Sequence, residues 1–347
     1  MSPKPADPLV TVVVPTHDHA STLDLAVASV LRQTVEALDV VIIGDGVGDD
    51  TRDVVCGLVS DNRVRFLDTP KSRSRAEAVR HSVLIEALSP YVCYFGDDDL
   101  MLPDHVESTV ARLQVVDFTH PLPVFIGPEG SLVAHPTDIA DPDCVTWHLR
   151  PLRNAISLTG VGHRLDAYRR LPHGWREAPP GSWSDHYMWQ QWFSTPGYSY
   201  STGDRLTMLK LDGAARPGMT AEERRAEMLA WIERSSQPGF ESWLATEVAV
   251  VFRRHAIRGR LDHDAWADRA TEERKSREAC ERVLSEQNAA LTQSLRVAGT
   301  KWRAWKLPRR GPGRLKASSM PCDAPAPGGS TTLWRDVRSA GGWPATD

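Results

Sequence analysis

Apolar runs rich in β-branched residues recur in the first third of the chain, and each precedes a stretch with helical periodicity. The long runs are LVTVVVP at 9–15, DVVII at 39–43 and YVCYF at 91–95, with a shorter run at 64–67. Near-continuous apolar character is typical of strands that are buried on both faces of a parallel sheet. The alternation of strand and helix therefore predicts an α/β fold over roughly residues 8–115.

The composition excludes several classes of protein. The chain has 347 residues, of which 41% are hydrophobic and 25% charged, so a wholly disordered or collagen-like chain is excluded. The net charge of −4 gives no global excess that would favour nucleic acid as a partner. Five cysteines without metal-ligand spacing argue against a disulfide framework or a zinc ribbon and favour a reducing compartment.

The sequence also bears on location. No apolar stretch is long enough to span a bilayer. Residues 1–8 are polar and proline-rich and do not resemble a signal peptide. We therefore expect a cytoplasmic protein, with a peripheral membrane contact as an open possibility.

The middle of the chain has a weaker pattern. From about residue 120 to 212 the alternation fades, and glycine, proline, histidine and tryptophan become frequent. We expect short mixed strands here, a helix that starts near Asp185, and a hairpin-like stretch at 198–211.

The C-terminal part has two compositions. Residues 220–300 are almost wholly helical in pattern, and they can pack on the preceding domain, form a homodimer, or both. Residues 301–347 are rich in proline, glycine and serine and predict a disordered tail. The segment 301–320 has seven basic and no acidic residues. It is read as a solvated charged tail, with contact to an anionic membrane surface as the alternative.

Three adjacent aspartates follow the run at 91–95, in the motif GDDD at 96–99. Their mutual repulsion is relieved most simply by a divalent cation, and oxygen ligands favour Mg²⁺ or Mn²⁺. A cation held by one or two carboxylates keeps positions open for diphosphate oxygens. The alternative is a solvated acidic loop in which Asp99 or Asp104 caps the next helix.

A second acidic loop, GDGVGDD at 44–50, follows the strand at 39–43. Asp45 lies just past the strand and is placed to accept a hydrogen bond from a base or a ribose. The alternative is a tight turn with Asp49 or Asp50 as a helix cap. Because ligands of parallel sheets bind outside the carboxyl ends of the strands, both acidic loops occupy the expected position.

Four motifs together resemble the family 2 glycosyltransferases. They are TVVVPTHD at 11–18, SVLRQT at 29–34, GDGVGDDT at 44–51 and YFGDDDLMLPDH at 94–105, in the family's order and spacing. The resemblance implies the nucleotide-diphospho-sugar-binding α/β fold called GT-A. It also implies a GT-A domain at 1–213, with a nucleotide-sugar half at 8–115 and an acceptor half at 116–213. A helical extension at 214–300 and the tail at 301–347 follow it.

The same resemblance assigns contacts to individual residues. It implies a nucleotide-sugar site that contains Pro15, Thr16, His17, Asp45, Arg80, Asp97 and Asp98. It implies Mn²⁺ or Mg²⁺ as cofactor, held by Asp98 and Asp99. The chain departs from the family pattern at Gly96, which stands at the first position of the usual Asp-x-Asp motif. It departs again at His17, where a tyrosine is frequent.

Asp185 is the candidate catalytic base. Inverting enzymes of the family use an Asp or Glu roughly 80 to 100 residues beyond the metal motif at the start of a helix, and the resemblance carries this role to Asp185. The alternative is an ordinary helix cap, whose pKa the helix dipole would lower. His163, Trp183 and His186 are candidate contacts for the acceptor or the sugar, with a core or positional role as the alternative for each.

The expected activity is that of an inverting glycosyltransferase. A sugar would move from a nucleotide-diphospho-sugar donor to a hydroxyl of a sugar, lipid-linked or other acceptor, in the synthesis of a surface polysaccharide, glycolipid or other glycoconjugate. A non-catalytic member that binds a nucleotide or a partner is the first alternative. A nucleotidyltransferase is less favoured, because PTHD at 15–18 replaces the Gly-rich basic loop that it needs after the first strand.

Overall fold

The computed structural model describes residues 7–211 and 213–303. The strands in these residues are β1 (Val10–Thr16), β2 (Leu38–Asp45), β3 (Val64–Thr69), β4 (Tyr91–Tyr94), β5 (Leu100–Met101), β6 (Phe118–His120), β7 (Val124–Ile126), β8 (Leu132–Ala134), β9 (Gly162–Arg164), β10 (Tyr200–Thr202) and β11 (Met208–Leu209). The helices are α1 (Ala20–Leu31), α2 (Asp49–Leu58), α3 (Glu77–Glu86), α4 (His105–Leu113), α5 (Pro142–His148), α6 (Leu165–Arg169), α7 (Ser184–Ser194), α8 (Ala221–Ser235) and α9 (Phe240–Arg303).

Seven of these strands form one sheet in the order β10-β6-β9-β4-β1-β2-β3. All neighbours pair in parallel except β9, which runs antiparallel to both β4 and β6. The apolar runs of the sequence become the central strands, as their composition predicts. The α/β prediction is confirmed.

Helices cover both faces of the sheet because side chains along each strand alternate between the two faces. Val12 and Val14 of β1 belong to one buried cluster, together with side chains of α1, α4 and α8. Val13 belongs to the other cluster, with side chains of α3, α6 and α7. Each strand of the centre is therefore held from two sides, which fixes the loops at its end.

The order of the strands reverses between β1 and β4. From β1 the chain proceeds to β2 and β3 on one side, and then returns to place β4 on the other side of β1. A crevice at the carboxyl ends of such a strand pair is where open α/β sheets bind ligands. The loop after β1 and the acidic run at 96–99 both end at this crevice.

The predicted hairpin at 198–211 is wrong. β10 pairs with β6 in the main sheet, whereas β11 pairs with β5 in a separate two-stranded sheet. Each segment has strand character, but its partner lies about 80 to 110 residues earlier in the chain, as the pairing of Tyr200 with Phe118 and of Met208 with Met101 shows.

Beyond residue 213, α8 packs on α1, and the first compact unit of the chain ends at His255 within α9. The second unit begins at Ala256 and its described part is the rest of α9. Several of its large apolar side chains are exposed, namely Ile257, Leu261, Trp266, Val283 and Leu284. The domain border at 213 and 214 and the homodimer through 220–300 stay predictions.

Helix α9 ends at Arg303, so most of the predicted tail, residues 304–347, lies outside the described residues. Within 7–211 and 213–303, no helix has both the length and the apolar character needed to cross a membrane.

Candidate active site

The acidic run at 96–99 lies at the carboxyl end of β4, and its carboxylates have partners from distant elements. Asp97 Oδ1 lies 2.8 Å from Nδ1 of His19, the residue before α1. Asp98 Oδ2 accepts a hydrogen bond of 2.7 Å from Nη2 of Arg224 in α8. The run is therefore a meeting point of the sheet, α1 and the helical extension.

Asp99 has a different environment, because its side chain is fully buried. Its Oδ2 accepts a hydrogen bond of 2.5 Å from Thr159 Oγ1, and its Oδ1 accepts one of 2.7 Å from the backbone N–H of Leu211. The Nζ atom of Lys210 lies 3.6 Å away. Both carboxylate oxygens are occupied by protein donors, so this geometry does not support the prediction that Asp99 is a metal ligand.

Gly96 is explained by the packing of the same carboxylate. A Cβ atom at this position would lie 2.7 Å from Asp99 Oδ2 and 2.8 Å from Thr159 Oγ1. An aspartate at position 96 has no room while Asp99 is held in place. The departure from the usual Asp-x-Asp motif therefore goes together with the buried position of Asp99.

Two residues of the cluster, His19 and Asp98, have shifted pKa values. The hydrogen bond to Asp97 raises the pKa of His19 to about 9, so in the free chain this imidazole must give up a proton before its nitrogen can bind a cation. Burial, together with the charges of Asp99 and Asp97, raises the pKa of Asp98 to about 6. The ion pair with Arg224 favours the ionised carboxylate, so the charge of Asp98 depends on the cations around it.

Three side chains of this cluster fit a divalent cation. One ligand atom each from His19, Asp97 and Asp98 lies within 4.8 Å of the others. An imidazole nitrogen with carboxylate oxygens is a donor set that suits Mn²⁺. The sequence prediction missed His19. Its only signal was its place two residues after His17, in the loop that follows β1.

Asp45 ends β2 and is nearly buried, with both oxygens engaged. It accepts hydrogen bonds from Lys71 Nζ at 2.7 Å, from the Ser72 backbone N–H at 2.6 Å and from Ser72 Oγ at 2.9 Å. Burial raises the pKa of Asp45, but these donors outweigh burial and lower it overall. In the free chain Asp45 holds the loop that contains Lys71 beside the crevice.

The loop after β1 has polar atoms without partners. The Oγ1 atom of Thr16 and the Nδ1 atom of His17 are buried and have no hydrogen-bond partner among the described residues. Pro15, which precedes them, is half-buried. Buried polar atoms are nearly always paired in folded proteins, so these two are candidates for pairing with a bound ligand.

Asp185 lies in the first turn of α7, which begins at Ser184 with Trp183 as the N-cap residue. Its Oδ1 accepts a 2.7 Å hydrogen bond from the adjacent backbone N–H of His186. The side chain is therefore not the cap of the helix. Burial raises the pKa of Asp185 although the donor N–H acts in the opposite direction, and a raised pKa suits a group that must take up a proton.

Asp185 and the acidic run share a cationic neighbour. The charge of Lys210 acts to lower the pKa of both Asp98 and Asp185, against the effect of burial. The same ammonium lies 3.6 Å from Asp99. Because such interactions weaken with distance, Asp98 and Asp185 both lie within electrostatic reach of this one ammonium group.

A hydrogen bond to α3 fixes the start of α7. Ser184 Oγ donates a 2.5 Å hydrogen bond to Glu77 at the start of α3. Arg80 of the same helix is buried, and its guanidinium lies over the ring of Trp175 at 4.5 Å. It also donates a hydrogen bond to the carbonyl oxygen of Arg75. These contacts give Arg80 a role in packing α3 against Trp175 and do not support the predicted contact with donor phosphates.

Two predicted histidine contacts are also buried. His163 of β9 is fully buried, with Nε2 2.8 Å from the hydroxyl of Tyr94 and Nδ1 3.0 Å from a backbone carbonyl oxygen. His186 is buried too, and its Nε2 lies 2.6 Å from the carbonyl oxygen of His148, which ties α7 to α5. Neither ring has surface that an acceptor or a sugar can reach, so the core interpretation applies to both.

Trp183 remains available for contact. It is 40% exposed, and it lies two residues before Asp185 in the chain. Trp189 and Trp192, one and two turns further along α7, are fully buried in the core. Of these three tryptophans, Trp183 alone is exposed enough to contact an acceptor.

The motif region agrees with a known family. Residues 11–155 match the family model described as Glycosyl transferase family 2. This match makes residues 11–155, less than half of the chain, similar to glycosyltransferase family 2. The predicted GT-A fold, an α/β domain with a C-terminal helical extension, is confirmed with it.

Individual relatives match over the same region. Validoxylamine A glucosyltransferase of Streptomyces hygroscopicus subsp. jinggangensis is 31% identical over 106 residues, which are 30% of this chain and 25% of that protein. Chondroitin synthase of Pasteurella multocida is 29% identical over 132 residues, 37% of this chain and 14% of that protein. The match thus spans a quarter or less of the length of these relatives.

Among solved structures, S. aureus TarS 1-349 aligns with a TM-score of 0.45 at 14% identity, over 71% of each chain. The fold assignment rests on the strand order and the family match, not on this superposition. The match over residues 11–155 supports glycosyl transfer as the candidate activity.

Proposed function

We propose that this protein is a member of glycosyltransferase family 2 that transfers a sugar from a nucleotide-diphospho-sugar to an acceptor hydroxyl, with inversion at the anomeric carbon. The proposal is supported by the family match over residues 11–155 and by the electrostatic effect of Lys210 on both Asp98 and Asp185. A donor site and a proton acceptor on one region are the two groups that a single displacement needs.

The donor would lie in the crevice between the ends of β1 and β4. Its nucleoside would contact Pro15, Thr16 and His17, where two buried polar atoms lack protein partners. Asp45 would accept a hydrogen bond from the nucleoside once Lys71 and Ser72 rearrange. A divalent cation held by Asp97, Asp98 and His19, Mn²⁺ or Mg²⁺, would supply Lewis-acid stabilisation of the leaving diphosphate.

Asp185 would act as the general base. Its carboxylate takes the proton of the acceptor hydroxyl while the hydroxyl oxygen forms a bond to the anomeric carbon. The bond from that carbon to the diphosphate breaks, and its electron pair leaves with the nucleoside diphosphate. The raised pKa of Asp185 favours uptake of this proton, and Trp183 offers a flat face to the acceptor.

For the donor sugar, its nucleobase and the acceptor, the proposal extends only to the class of compound. Synthesis of a surface polysaccharide, glycolipid or other glycoconjugate accords with the name of the chondroitin synthase relative. The acceptor would be a sugar, a lipid-linked sugar or another hydroxyl compound. A peripheral membrane contact through 301–320 and a cytoplasmic location remain part of the proposal.

Transfer from a panel of UDP-, GDP- and dTDP-sugars to a panel of sugar acceptors tests the proposal. Nucleoside diphosphate release is measured for the wild type, Asp185→Asn and Asp166→Asn. Asp166 is the matched control because it occupies the same first-turn position of α6. We expect Asp185→Asn to lower turnover by about 100-fold or more, and Asp166→Asn to leave it unchanged.

Equal turnover in wild type and Asp185→Asn would contradict the assignment of the base. Nucleotide binding without transfer to any acceptor, unaffected by Asp185→Asn, would favour the non-catalytic alternative. The anomeric configuration of the product, read by NMR, separates inversion from retention.

A further inference from the structure

Arg224 makes a contact that the donor site itself does not require. It comes from the first turns of α8 in the helical extension, yet its Nη2 donates to Asp98 Oδ2 at 2.7 Å and to the carbonyl oxygen of Leu211 at 2.9 Å. The side chains of Arg224 and Asp98 are only 13% and 14% exposed. The pair is therefore largely shielded from water, unlike an ordinary surface salt bridge.

The position of Arg224 is fixed by its surroundings. The next residue, Arg225, donates two hydrogen bonds to the carboxylate of Asp24 in α1, at 2.6 and 2.9 Å. Thr220 and Glu223 form a capping box that starts α8. The capping box and the contact with α1 hold α8 in place. The position of the Arg224 guanidinium beside Asp98 is therefore fixed by the packing of the helix.

This contact conflicts with a cation on the same carboxylate. A dication bound to Asp98 would lie within a few ångströms of the guanidinium, and repulsion between like charges is strong in a partly dry site. The pair and the bound cation therefore disfavour each other. A new anion beside Arg224 removes the conflict, and the diphosphate of a donor brings that anion to this place.

We propose that Arg224 belongs to the donor site: it keeps Asp98 paired in the free chain and turns to the diphosphate when cation and nucleotide bind together. The inference rests on the proposed function. Guanidinium groups suit this exchange because their planar N–H donors match phosphate oxygens as well as carboxylates. Cation and nucleotide then bind cooperatively, since each removes a cost of binding the other.

Calorimetric titrations of Mn²⁺ and of nucleoside diphosphates test this inference. The proteins are the wild type, Arg224→Met, Arg224→Lys and the control Arg112→Met, which removes another arginine paired with a carboxylate, that of Asp204. For Mn²⁺ alone, we expect Arg224→Met to bind about tenfold more tightly than the wild type. For the nucleotide with Mn²⁺ present, we expect Arg224→Met to bind about tenfold more weakly.

Arg224→Lys keeps the charge, so it should shift both affinities less than Arg224→Met, and Arg112→Met should shift neither. Circular dichroism of each variant verifies that α8 and α9 are intact. Unchanged Mn²⁺ and nucleotide affinities in Arg224→Met, with clear binding by the wild type, would overturn the role of Arg224 and leave the proposed function standing. Failure of Mn²⁺ and of every nucleotide to bind any of the four proteins would overturn the donor site, and this inference with it.

Discussion

Asp185 takes up the proton in the proposed reaction, and its surroundings set the pH at which it can act. Burial raises its pKa above the ordinary value for an aspartate. Only the ionised carboxylate can take the proton of an acceptor hydroxyl, so activity is present above this pKa and is lost as the pH falls through it. We therefore expect an acidic limb in the pH profile of kcat that lies higher than an exposed aspartate would give.

The pH profile of His186→Gln provides the control for this prediction. His186 follows Asp185 but contacts the carbonyl oxygen of His148 and lies in the core. We expect its replacement to lower stability and to keep the acidic limb, moved at most to higher pH, because the backbone N–H that bonds to Asp185 remains while the His186 charge that lowers the pKa of Asp185 is lost. A limb that disappears in His186→Gln would contradict the assignment of Asp185 as the titrating base.

His19 is the residue that structure adds to the predicted site. If it is a ligand of the cation, His19→Ala should weaken Mn²⁺-dependent nucleotide binding by about tenfold or more. His263→Ala is the control, because His263 is an exposed histidine of α9. Calorimetry with Mn²⁺ present measures both variants, and equal affinity of His19→Ala and wild type would remove His19 from the site.

Single residues differ in how far the sequence could predict them. Asp45, Asp97 and Asp98 follow strands in motifs, and their position past a strand end suffices to place them at the crevice. His19 could not be found this way, because its contact with Asp97 exists only once β1 lies beside β4. His163 was misplaced because sequence does not show that β9 is inserted antiparallel inside the sheet.

At the scale of elements, α8 connects the extension to the donor site. The capping box in its first turn contributes to the stability of this helix. Thr220 Oγ1 accepts a 3.2 Å hydrogen bond from the N–H of Glu223, and Glu223 Oε2 accepts one of 2.8 Å from the N–H of Thr220. We expect Thr220→Ala to lower the free energy of unfolding by about 1 kcal/mol, since one end of this reciprocal cap is lost.

Thr246→Ala is the matched substitution for that experiment. Thr246 lies inside α9, where its hydroxyl bonds to the carbonyl oxygen of Ser242. Alanine is the better helix former in such a position, so Thr246→Ala should be neutral or slightly stabilising. Urea unfolding followed by circular dichroism compares the two, and equal changes in both variants would contradict a specific role for the capping box.

The elements themselves were predictable where the pattern is long and local. Apolar runs predicted β1, β2, β3 and β4, and helical periodicity predicted the start of α7 and the helices after residue 220. The hairpin at 198–211 failed because its two strands pair with β6 and β5, and a pairing across about 80 to 110 residues leaves no mark in a local pattern.

For the whole molecule, buried histidines make stability depend on pH. Burial lowers the pKa of His105 to about 4, of His120 to about 3 and of His163 to about 4. The unfolded chain binds protons at these sites below pH 6.5 while the folded chain does not, so stability is full above that pH and falls as the pH decreases towards 4. For His163 alone the loss at pH 5 is on the order of 2 kcal/mol.

Urea unfolding of the wild type between pH 7.5 and 5 measures this effect. Asp45 and Glu77 act outside this range, because their pKa values are lowered in the folded chain and the stability that they contribute is lost only at still lower pH. In His163→Gln we expect lower stability at pH 7.5 and a smaller decrease on acidification than in the wild type. A wild-type stability that is constant over this range would contradict the neutral, buried state of these rings.

Every proposed role depends on a crevice that binds a nucleoside diphosphate together with a divalent cation. Calorimetric titration of UDP, GDP and dTDP, with and without Mn²⁺, tests it on the wild type, on Asp98→Ala and on Asp53→Ala, which removes an exposed aspartate of α2. We predict that one nucleotide binds wild type and Asp53→Ala only with Mn²⁺, and that Asp98→Ala loses this binding. Binding of no nucleotide under either condition, or equal binding by Asp98→Ala, would contradict it.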